Sequence, residues 1–470
     1  MTMNKWIEQV QKHKQEIIED TQTFLKIKSV LDEHSASKGA PFGKGINDAL
    51  EYLLTKGSNE GFQTKNLDGF AGHIEWGTGE ELIGILCHVD VVPEGDGWTS
   101  APFGAEIRDG KIYARGSLDD KGPTMAAFYA MKIIKEMDLP LSKRVRMIIG
   151  TDEESNWQCV EHYFKHEEMP TMGFAPDADF PIIYAEKGIV DIDLVRKNEP
   201  TDNHHESMLV SFQSGRRYNM VPDFAEAKVT IAGMKTSFVE LFKEFLTVNA
   251  LKGKAILEDT YCVLQVEGKS AHAMEPNYGK NAGVYLASFL SEFSWDKNAN
   301  EFISFIVRYF SKESRGKQLG VAYEDDITGD LTINVGKLAY TSEHGGMIGL
   351  NMRYPVTNEI EKTRNQIIKV CTQHSFELEQ FSNSAPHHVS KDHPLIETLQ
   401  KVYVEQTGVD ATLLSIGGGT YARSLKSGVA FGPLFPGRED CAHQKDEHIY
   451  IEDLLKATAI YAQAIYELAR

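Results

Sequence analysis

The sequence is 470 residues long, which is enough for two or three domains that each bury a hydrophobic core. It carries 49 basic and 68 acidic side chains, so its formal net charge is −19. Nucleic acids and anionic membranes are bound by basic surfaces, and we therefore expect neither among the partners of this protein.

The cysteines and the N-terminus indicate a cytoplasmic protein. Five cysteines are scattered along the chain without a C-x-x-C pair, as expected in a reducing compartment rather than in a secreted, disulfide-built domain. The first 20 residues are charged throughout and lack the apolar segment of a signal peptide. The sequence also lacks a run of about 18 consecutive apolar residues, which a membrane-spanning helix requires.

The first 190 residues alternate between predicted strands and predicted helices. Residues 5–27 have apolar positions at helical spacing, and a second such helix is predicted at residues 123–137. The apolar runs at residues 82–88 and 145–150 have the length of buried strands. Strand, helix and strand in this order predict an α/β domain with a central, mostly parallel sheet and helices on both faces.

A change in the pattern near residue 190 predicts a second domain. Strand-like and helical segments alternate there with the rhythm of an α+β fold, and the α/β pattern returns near residue 385 and closes with a helix at residues 451–468. We therefore predict a catalytic α/β domain formed by residues 1–190 and 385–470. An α+β lid domain, residues 191–384, would interrupt it.

The end of the first apolar run carries the first chemical signal. His88 and Asp90 lie two positions apart on a predicted strand, so their side chains share a face. A metal-bound imidazole usually gives its second nitrogen a carboxylate or carbonyl partner, and Asp90 has the right position for that role. Taken alone, such a pair is more often an ordinary hydrogen-bonded histidine at the end of a strand.

Acidic residues recur in similar places further along the chain. Asp119 and Asp120 precede a predicted helix, Glu153 and Glu154 follow the second apolar run, and Asp177 follows a third, shorter one. Each acid alone is compatible with a helix start or a solvated loop. Together, four successive strand ends that deliver histidine and carboxylates predict a binding site at the carboxyl edge of the sheet. Nitrogen and oxygen ligands without thiolate suit zinc, manganese or cobalt.

The ordered motifs of this sequence resemble those of a family of dinuclear metallopeptidases that includes aminoacylases, succinyl-diaminopimelate desuccinylases and carboxypeptidase G. The likeness extends over most of the chain and is greatest to the bacterial dipeptidases of the PepV type. The motifs are HVDVVP from His88, GSLDDKG from Gly116, DEES from Asp152, Asp177, GKSAHA from Gly268, NMRYP from Asn351 and IGGGTY from Ile416.

This resemblance implies two divalent metal ions per chain, zinc or manganese, with cobalt possible in vitro. Asp119 would bridge the ions, which dinuclear sites of this kind hold about 3.5 Å apart. One ion would be bound by His88 and Asp177, and the other by Glu154 and His443.

Other histidines and one cysteine receive different interpretations. His443 matches the family motif only loosely, and His448 is the alternative for the same role. His387 and His388 are interpreted as structural residues. Cys87 lies on the opposite face of its strand from the predicted histidine ligand, so we interpret it as a core residue.

The resemblance also implies roles for residues that bind no metal. Asp90 would orient His88, Glu153 would act as general base, and His272 would stabilise the oxyanion. The free carboxylate of the substrate would be bound by polar groups of matching geometry, namely Asn219, Arg353, Gly417, Gly418, Gly419 and Thr420.

These roles predict a dipeptidase that hydrolyses short, unblocked dipeptides with a water activated between the two ions. If the lid holds the substrate carboxylate at a fixed distance from the metals, only short substrates fit. The alternatives are an N-acyl amino acid hydrolase with the same site and a metal-binding pseudoenzyme, although the presence of Glu153 argues against the latter. The insert is large enough to supply His272 from the same chain, so we expect a monomer.

Overall fold

The computed structural model describes residues 4–200, 207–231, 235–258 and 260–470, and the chain divides into two compact units. Unit 1 comprises Met1–Ala185, His388–Leu414 and Thr420–Arg470. Unit 2 comprises Glu186–His387 and Ser415–Gly419. Residues 415–419, which the sequence pattern assigned to the α/β domain, therefore cluster with unit 2.

The regular elements of the described residues are as follows. The helices are α1 (Lys5–Leu25), α2 (Lys44–Asn59), α3 (Lys121–Glu136), α4 (Gln158–His166), α5 (Lys235–Val248), α6 (Ala282–Leu290), α7 (Lys297–Phe310), α8 (Ile360–Gln373), α9 (Pro394–Thr407) and α10 (Ile451–Ala469). The strands are β1 (Gln63–Leu67), β2 (Ala71–Trp76), β3 (Leu82–His88), β4 (Glu106–Arg108), β5 (Lys111–Tyr113), β6 (Arg144–Gly150), β7 (Met172–Ala175), β8 (Ala178–Asp179), β9 (Ile182–Glu186), β10 (Gly188–Lys197), β11 (Met208–Ser214), β12 (Phe224–Thr230), β13 (Lys252–Leu257), β14 (Cys262–Glu267), β15 (Glu324–Asp325), β16 (Gly329–Asp330), β17 (Thr332–Thr341), β18 (Gly345–Tyr354), β19 (Glu377–Ser384), β20 (His387–His388), β21 (Leu413–Ile416), β22 (Gly428–Ala430), β23 (Pro433–Leu434) and β24 (His448–Tyr450).

The main sheet of unit 1 is mixed, with parallel strands at its centre. Among the described residues its strand order is β1-β2-β6-β3-β7-β22-β9-β20. The pairings from β6 through β3 and β7 to β22 are parallel, whereas β1, β2 and β9 pair antiparallel. Every residue of β3 is buried, as expected for an apolar strand that is covered on both faces. The predicted α/β class is confirmed, and the parallel pairings are confined to the middle of the sheet.

Helices cover both faces of this sheet, as β2 shows. A Cβ atom at Gly57 of α2 would lie 2.9 Å from Cδ1 of Ile74. The neighbouring residue His73 points to the opposite face, where its Nδ1 atom lies 2.9 Å from the hydroxyl of Tyr163 in α4. Helices α3 and α10 are almost entirely buried because they pack against each other and against β3.

Unit 2 is built on an antiparallel sheet with the strand order β13-β14-β12-β11-β17-β18-β10-β19. Along β10, buried residues alternate with half-buried ones, and Val190 and Ile192 face a core shared with α5 to α8. Asp191 points to the other face and is paired with Asn351 of β18. Paired residues of adjacent strands share a face, so this side of the sheet carries polar groups.

In the part of the chain that the structure describes, all the helices are too short or too polar to cross a membrane.

Candidate metal centre

Three parallel strands of unit 1 end at the same edge of the main sheet. His88, the last residue of β3, is paired with Gly150, the last residue of β6. Glu153 and Glu154 come shortly after β6, and Asp177 comes shortly after β7. The carboxyl ends of adjacent parallel strands meet at one edge, and these side chains therefore converge.

Asp119 reaches the same place from a turn rather than from a strand of this sheet. It lies two residues before the start of α3, and the strand that precedes it, β5, belongs to a separate three-stranded sheet with β4 and β24. The expected series of four strand ends is therefore a series of three, to which the start of α3 adds the remaining carboxylate.

The carboxylate of Asp119 lies between two histidines. Its Oδ1 atom is 3.1 Å from His88 Nε2, and its Oδ2 atom is 2.9 Å from His443 Nε2. His443 Nε2 is also 2.9 Å from Glu154 Oε1, and His88 Nε2 is 3.6 Å from Asp177 Oδ2. The possible ligand atoms form two groups, and within each group they lie within 4.8 Å of one another. The first group contains His88, Glu153 and Asp177, and the second contains Asp119, Glu154 and His443.

Two atoms at the centre of this cluster fit the presence of metal ions. Among the described residues, His88 Nε2 and Asp119 Oδ1 are buried without a hydrogen bond of acceptable geometry. A buried polar atom without a partner costs about 1–3 kcal/mol, so native structures rarely keep one unless a ligand satisfies it. Imidazole nitrogen and carboxylate oxygen are ligands that zinc and manganese accept. The donor atoms of the cluster therefore fit divalent cations.

The electrostatics of the cluster also favour added positive charge. Burial raises the pKa of Glu153 well above its usual range, and the charges of Asp177 and Glu154 raise it further. Burial and the charge of Asp119 raise the pKa of Asp177 to about 7. Hydrogen bonds to Asp119 and Glu154 raise the pKa of His443 to about 11. Buried carboxylates that repel one another in this way gain the most from nearby cations.

Asp90 contacts His88 mainly through its main chain. The Nδ1 atom of His88 lies 3.0 Å from the carbonyl oxygen of Asp90 and 3.5 Å from its Oδ1 atom. Of the two partners that the sequence left open for His88, the nearer one is therefore the carbonyl of Asp90. The carboxylate of Asp90 instead accepts the N–H groups of Glu153 and Glu154, at 3.1 and 2.9 Å. Asp90 therefore directs Nε2 of His88 toward the cluster and joins the end of β3 to the loop after β6.

His443 enters the cluster from the loop between β23 and β24. Its backbone has φ = 62°, in the left-handed region that residues other than glycine seldom adopt. Strained backbone of this kind is concentrated at functional sites. His448 does not lie in either group of candidate ligands among the described residues, since its ring packs against Tyr113 and its Nδ1 atom lies 2.9 Å from the carbonyl of Asp446.

The remaining candidates lie outside both groups as well. His387 and His388 form the short strand β20, and the ring of His388 packs against Tyr184. Cys87 is fully buried within β3.

In unit 2, the ring of His272 has a defined tautomer. Its Nδ1 atom accepts a hydrogen bond from the N–H of Met274 at 3.2 Å. A neutral imidazole whose Nδ1 is an acceptor carries its proton on Nε2. Desolvation and the charge of Arg353 lower the pKa of His272, so the ring is neutral at neutral pH and its Nε2–H group is a hydrogen-bond donor.

Arg353 lies buried in β18, where its guanidinium donates hydrogen bonds to Asn351 and to Gly417. Its Nε donates to Asn351 Oδ1 at 2.7 Å, and the amide of Asn351 donates to Asp191 Oδ1 at 2.6 Å. Its Nη1 donates to the carbonyl of Gly417 at 3.1 Å. A Cβ atom at Gly417 would lie 2.9 Å from Cβ of Met274, so the glycine turn lies beside the segment that carries the predicted oxyanion donor.

The other predicted substrate-binding residues are divided between the two units. Asn219 is exposed between β11 and β12, and its carbonyl accepts the N–H of Ala273, next to the predicted oxyanion donor. Gly418 and Gly419 continue the glycine turn of unit 2. Thr420 belongs to unit 1, where its hydroxyl caps the following helical turn.

Two buried charged residues beside the cluster were not singled out from the sequence. Arg115 Nη1 and Glu447 Oε2 are 2.6 Å apart, and Glu447 Oε1 accepts the N–H of Asp119 at 3.2 Å.

Histidine and carboxylate side chains gathered at the carboxyl edge of the parallel strands of an α/β unit form an arrangement that suits a metal-dependent hydrolase. The sequence profile of "Peptidase family M20/M25/M40" matches residues 84–467, and the chain belongs to this family. The match confirms the resemblance inferred from the motifs. The chain is therefore a metallohydrolase of the peptidase type.

This chain is similar to curated relatives over nearly the whole length of both sequences. The chain is 60% identical over 466 residues to "Putative dipeptidase YtjP" of Bacillus subtilis (strain 168), covering 99% of this chain and 100% of that protein. It is 46% identical over 465 residues to a "Putative dipeptidase" of Staphylococcus aureus (strain USA300), covering 98% of this chain and 99% of the relative.

Solved structures share the fold at low sequence identity. Aminoacylhistidine dipeptidase from Vibrio alginolyticus has a TM-score of 0.58 at 13% identity, with 96% of each chain covered. The dipeptidase Dug1p from Saccharomyces cerevisiae has a TM-score of 0.56 at 14% identity, with 98% of each chain covered. At these identities the likeness concerns the fold alone.

Proposed function

We propose that this protein is a metal-dependent dipeptidase that hydrolyses the peptide bond of short, unblocked dipeptides. The observation that carries the proposal is the carboxylate of Asp119, placed between His88 and His443 with further carboxylates around it. The names of the curated relatives support the choice of dipeptides as the substrate class. Assays of defined substrates with and without added metal test it.

The proposed site holds two divalent cations, zinc or manganese. Asp119 is the shared ligand, with His88 and Asp177 on one side and Glu154 and His443 on the other. Bound cations lower the pKa of a coordinated water and polarise a carbonyl group, which is the chemistry that peptide hydrolysis needs.

Glu153 is the proposed general base. Its carboxylate lies in one group with His88 and Asp177, and burial raises its pKa well above the usual range. In its ionised form, a carboxylate whose pKa is raised can take a proton from the attacking water and return it to the leaving amine. Its main-chain N–H is held by Asp90, which limits the movement of the loop that carries it.

Unit 2 is proposed to bind the rest of the substrate. The neutral ring of His272 offers an Nε2–H donor for the oxyanion that forms on the scissile carbonyl. The guanidinium of Arg353, held by Asn351, offers a planar group that suits a free carboxylate. If these groups hold the carbonyl and the free carboxylate at fixed positions, only a single residue fits between the scissile bond and the C-terminus, which is why dipeptides are the proposed substrates.

Replacement of His272 by alanine is expected to lower kcat by about 10²–10³-fold with little change in KM. The donor meets a charge that exists only in the transition state, so ground-state binding should change little. Steady-state kinetics with one good dipeptide measure both constants. A raised KM with normal kcat would contradict the role in oxyanion stabilisation.

The same variant tests whether one chain suffices. We propose a monomer, because both units belong to one chain. Mixing inactive His272→Ala and Glu153→Ala proteins should then leave the mixture inactive. Recovered activity would mean that the histidine acts across subunits.

Replacement of Arg353 by alanine is expected to raise KM for dipeptides far more than it lowers kcat, since the substrate carboxylate carries its charge in both ground and transition states. The matched substrate is the same dipeptide with a C-terminal amide. Its KM should be high with the wild-type enzyme and should change little in the variant. Equal effects on the acid and the amide would contradict the assignment.

A cytoplasmic location remains part of this proposal. It rests on the five cysteines of the sequence, which are scattered without a C-x-x-C pair, as expected in a reducing compartment.

A further inference from the structure

A buried ion pair lies next to the metal cluster of unit 1. The side chains of Arg115 and Glu447, whose charged atoms are 2.6 Å apart, are 2% and 0% exposed. Neither residue belongs to the groups of candidate metal ligands among the described residues. Burying two charges is costly unless further hydrogen bonds satisfy them, so the remaining contacts of this pair indicate what it does.

Glu447 holds the main chain of the shared ligand. Its Oε1 atom accepts the N–H of Leu118 at 2.9 Å and that of Asp119 at 3.2 Å. These bonds fix the peptide from which the Asp119 side chain projects. They therefore fix the direction in which its two oxygens approach His88 and His443.

Arg115 joins the segments that carry the two histidines. Its Nη1 atom also donates to the carbonyl of Gln444, the residue after His443, at 3.2 Å. Its Nη2 atom donates to the carbonyls of Pro93 and Glu94, at 3.4 and 3.3 Å, in the segment that follows β3. One guanidinium thus connects the loop before β24 with the loop after β3.

We propose that Arg115 and Glu447 are positioning residues that hold three segments of the metal cluster together and thereby set the affinity for both metal ions. The inference rests on the two-metal site proposed above. Asp119 and His443 lie outside regular helices and strands, so without the pair they could adopt other conformations. Metal binding would then have to order them, and it would be weaker.

Glu447→Gln is the most informative variant. It keeps the shape of the side chain and an oxygen for the two N–H groups, but it removes the charge that holds the guanidinium. We expect the affinity for Mn²⁺ or Zn²⁺ to fall by about 10–100-fold, as for other residues that support metal ligands. Arg115→Lys keeps the positive charge but has one nitrogen in place of the planar guanidinium. Its affinity for the metal ions should fall less than that of Glu447→Gln.

The matched control is Glu75→Gln. Glu75 pairs with Arg146 between β2 and β6 of the same unit, with side chains 13% and 5% exposed. Neither of these residues lies in the groups of candidate ligands among the described residues. This variant should be destabilised in a similar way while its metal affinity stays that of the wild type.

The test titrates chelator-treated, full-length proteins with Mn²⁺ and Zn²⁺ against a competing fluorescent chelator and records the Tm of each metal-free protein. Support requires weaker metal binding by Glu447→Gln and unchanged binding by Glu75→Gln. Wild-type affinity in Glu447→Gln, or an equal loss in both variants, would overturn the inference. If Glu447→Gln does not fold, the same comparison with Arg115→Lys decides. Wild-type protein that binds fewer than two ions would instead contradict the proposed two-metal site.

Discussion

Replacement of Glu153 by alanine should lower kcat by about 10²–10⁴-fold while both metal ions stay bound. The proposed base moves a proton in the transition state and is not assigned as a ligand. By distance alone it could be one, because its carboxylate lies in the same group as His88 and Asp177. Metal content and kcat must therefore be measured on the same preparation.

Its neighbour provides the control. Glu154 lies 2.9 Å from His443 and is assigned as a ligand, so Glu154→Ala should lose one metal ion as well as activity. Glu153→Gln keeps the shape of the base without its ability to accept a proton, and it should be as inactive as the alanine variant. Loss of an ion from Glu153→Ala, or near-normal turnover, would show that Glu153 is not the base.

Replacement of Asp119 by alanine should remove both metal ions together. Its two oxygens face different histidines, at 3.1 and 2.9 Å, so one carboxylate serves both sides of the cluster. Elemental analysis of the dialysed variant measures the number of ions per chain, and circular dichroism checks that the protein is folded.

Asp177→Ala is the matched comparison for this prediction. Asp177 lies near His88 but belongs to only one of the two groups, so its loss should affect one ion more than the other. An Asp119→Ala protein that keeps one ion at full occupancy would show that Asp119 is not the shared ligand.

Local patterns in the sequence were sufficient to find the residues at strand ends. A fully buried strand is a continuous apolar run, and the first polar residue after it marks the edge of the sheet. His88, Glu153, Glu154 and Asp177 all follow such runs, and the structure brings them together. The parallel orientation of β6, β3 and β7 agrees with the same alternation of strands and helices, whereas their order in the sheet came from the structure.

Other features depend on contacts between distant segments. His443 lies in a loop without periodicity, 289 residues from Glu154, and only the family resemblance pointed to it. Nothing local shows that His88 contacts the carbonyl of Asp90 rather than its carboxylate, because this depends on the turn after β3. We expected Asp119 to follow a strand of the main sheet. This was wrong, because the preceding strand, β5, belongs to the three-stranded sheet with β4 and β24.

The ion pair of Arg115 and Glu447 was missed for a related reason. Single charged residues are usually solvated, and these two are 332 positions apart. Each residue lies next to a short strand, Arg115 after β5 and Glu447 before β24. These two strands pair with each other, and their pairing brings the two residues close together. Burial of both charges became visible only once that pairing was known.

The most direct test of the proposed function is a substrate panel assayed with chelator-treated enzyme before and after addition of zinc, manganese or cobalt. The panel contains dipeptides, the tripeptides made by extending them at either end, and the N-acetyl amino acids with the same C-terminal residue. We expect metal-dependent hydrolysis of the dipeptides, with kcat/KM far above that for tripeptides and N-acetyl amino acids. Faster hydrolysis of N-acetyl amino acids, or dipeptide hydrolysis that the chelator does not reduce, would contradict a metal-dependent dipeptidase.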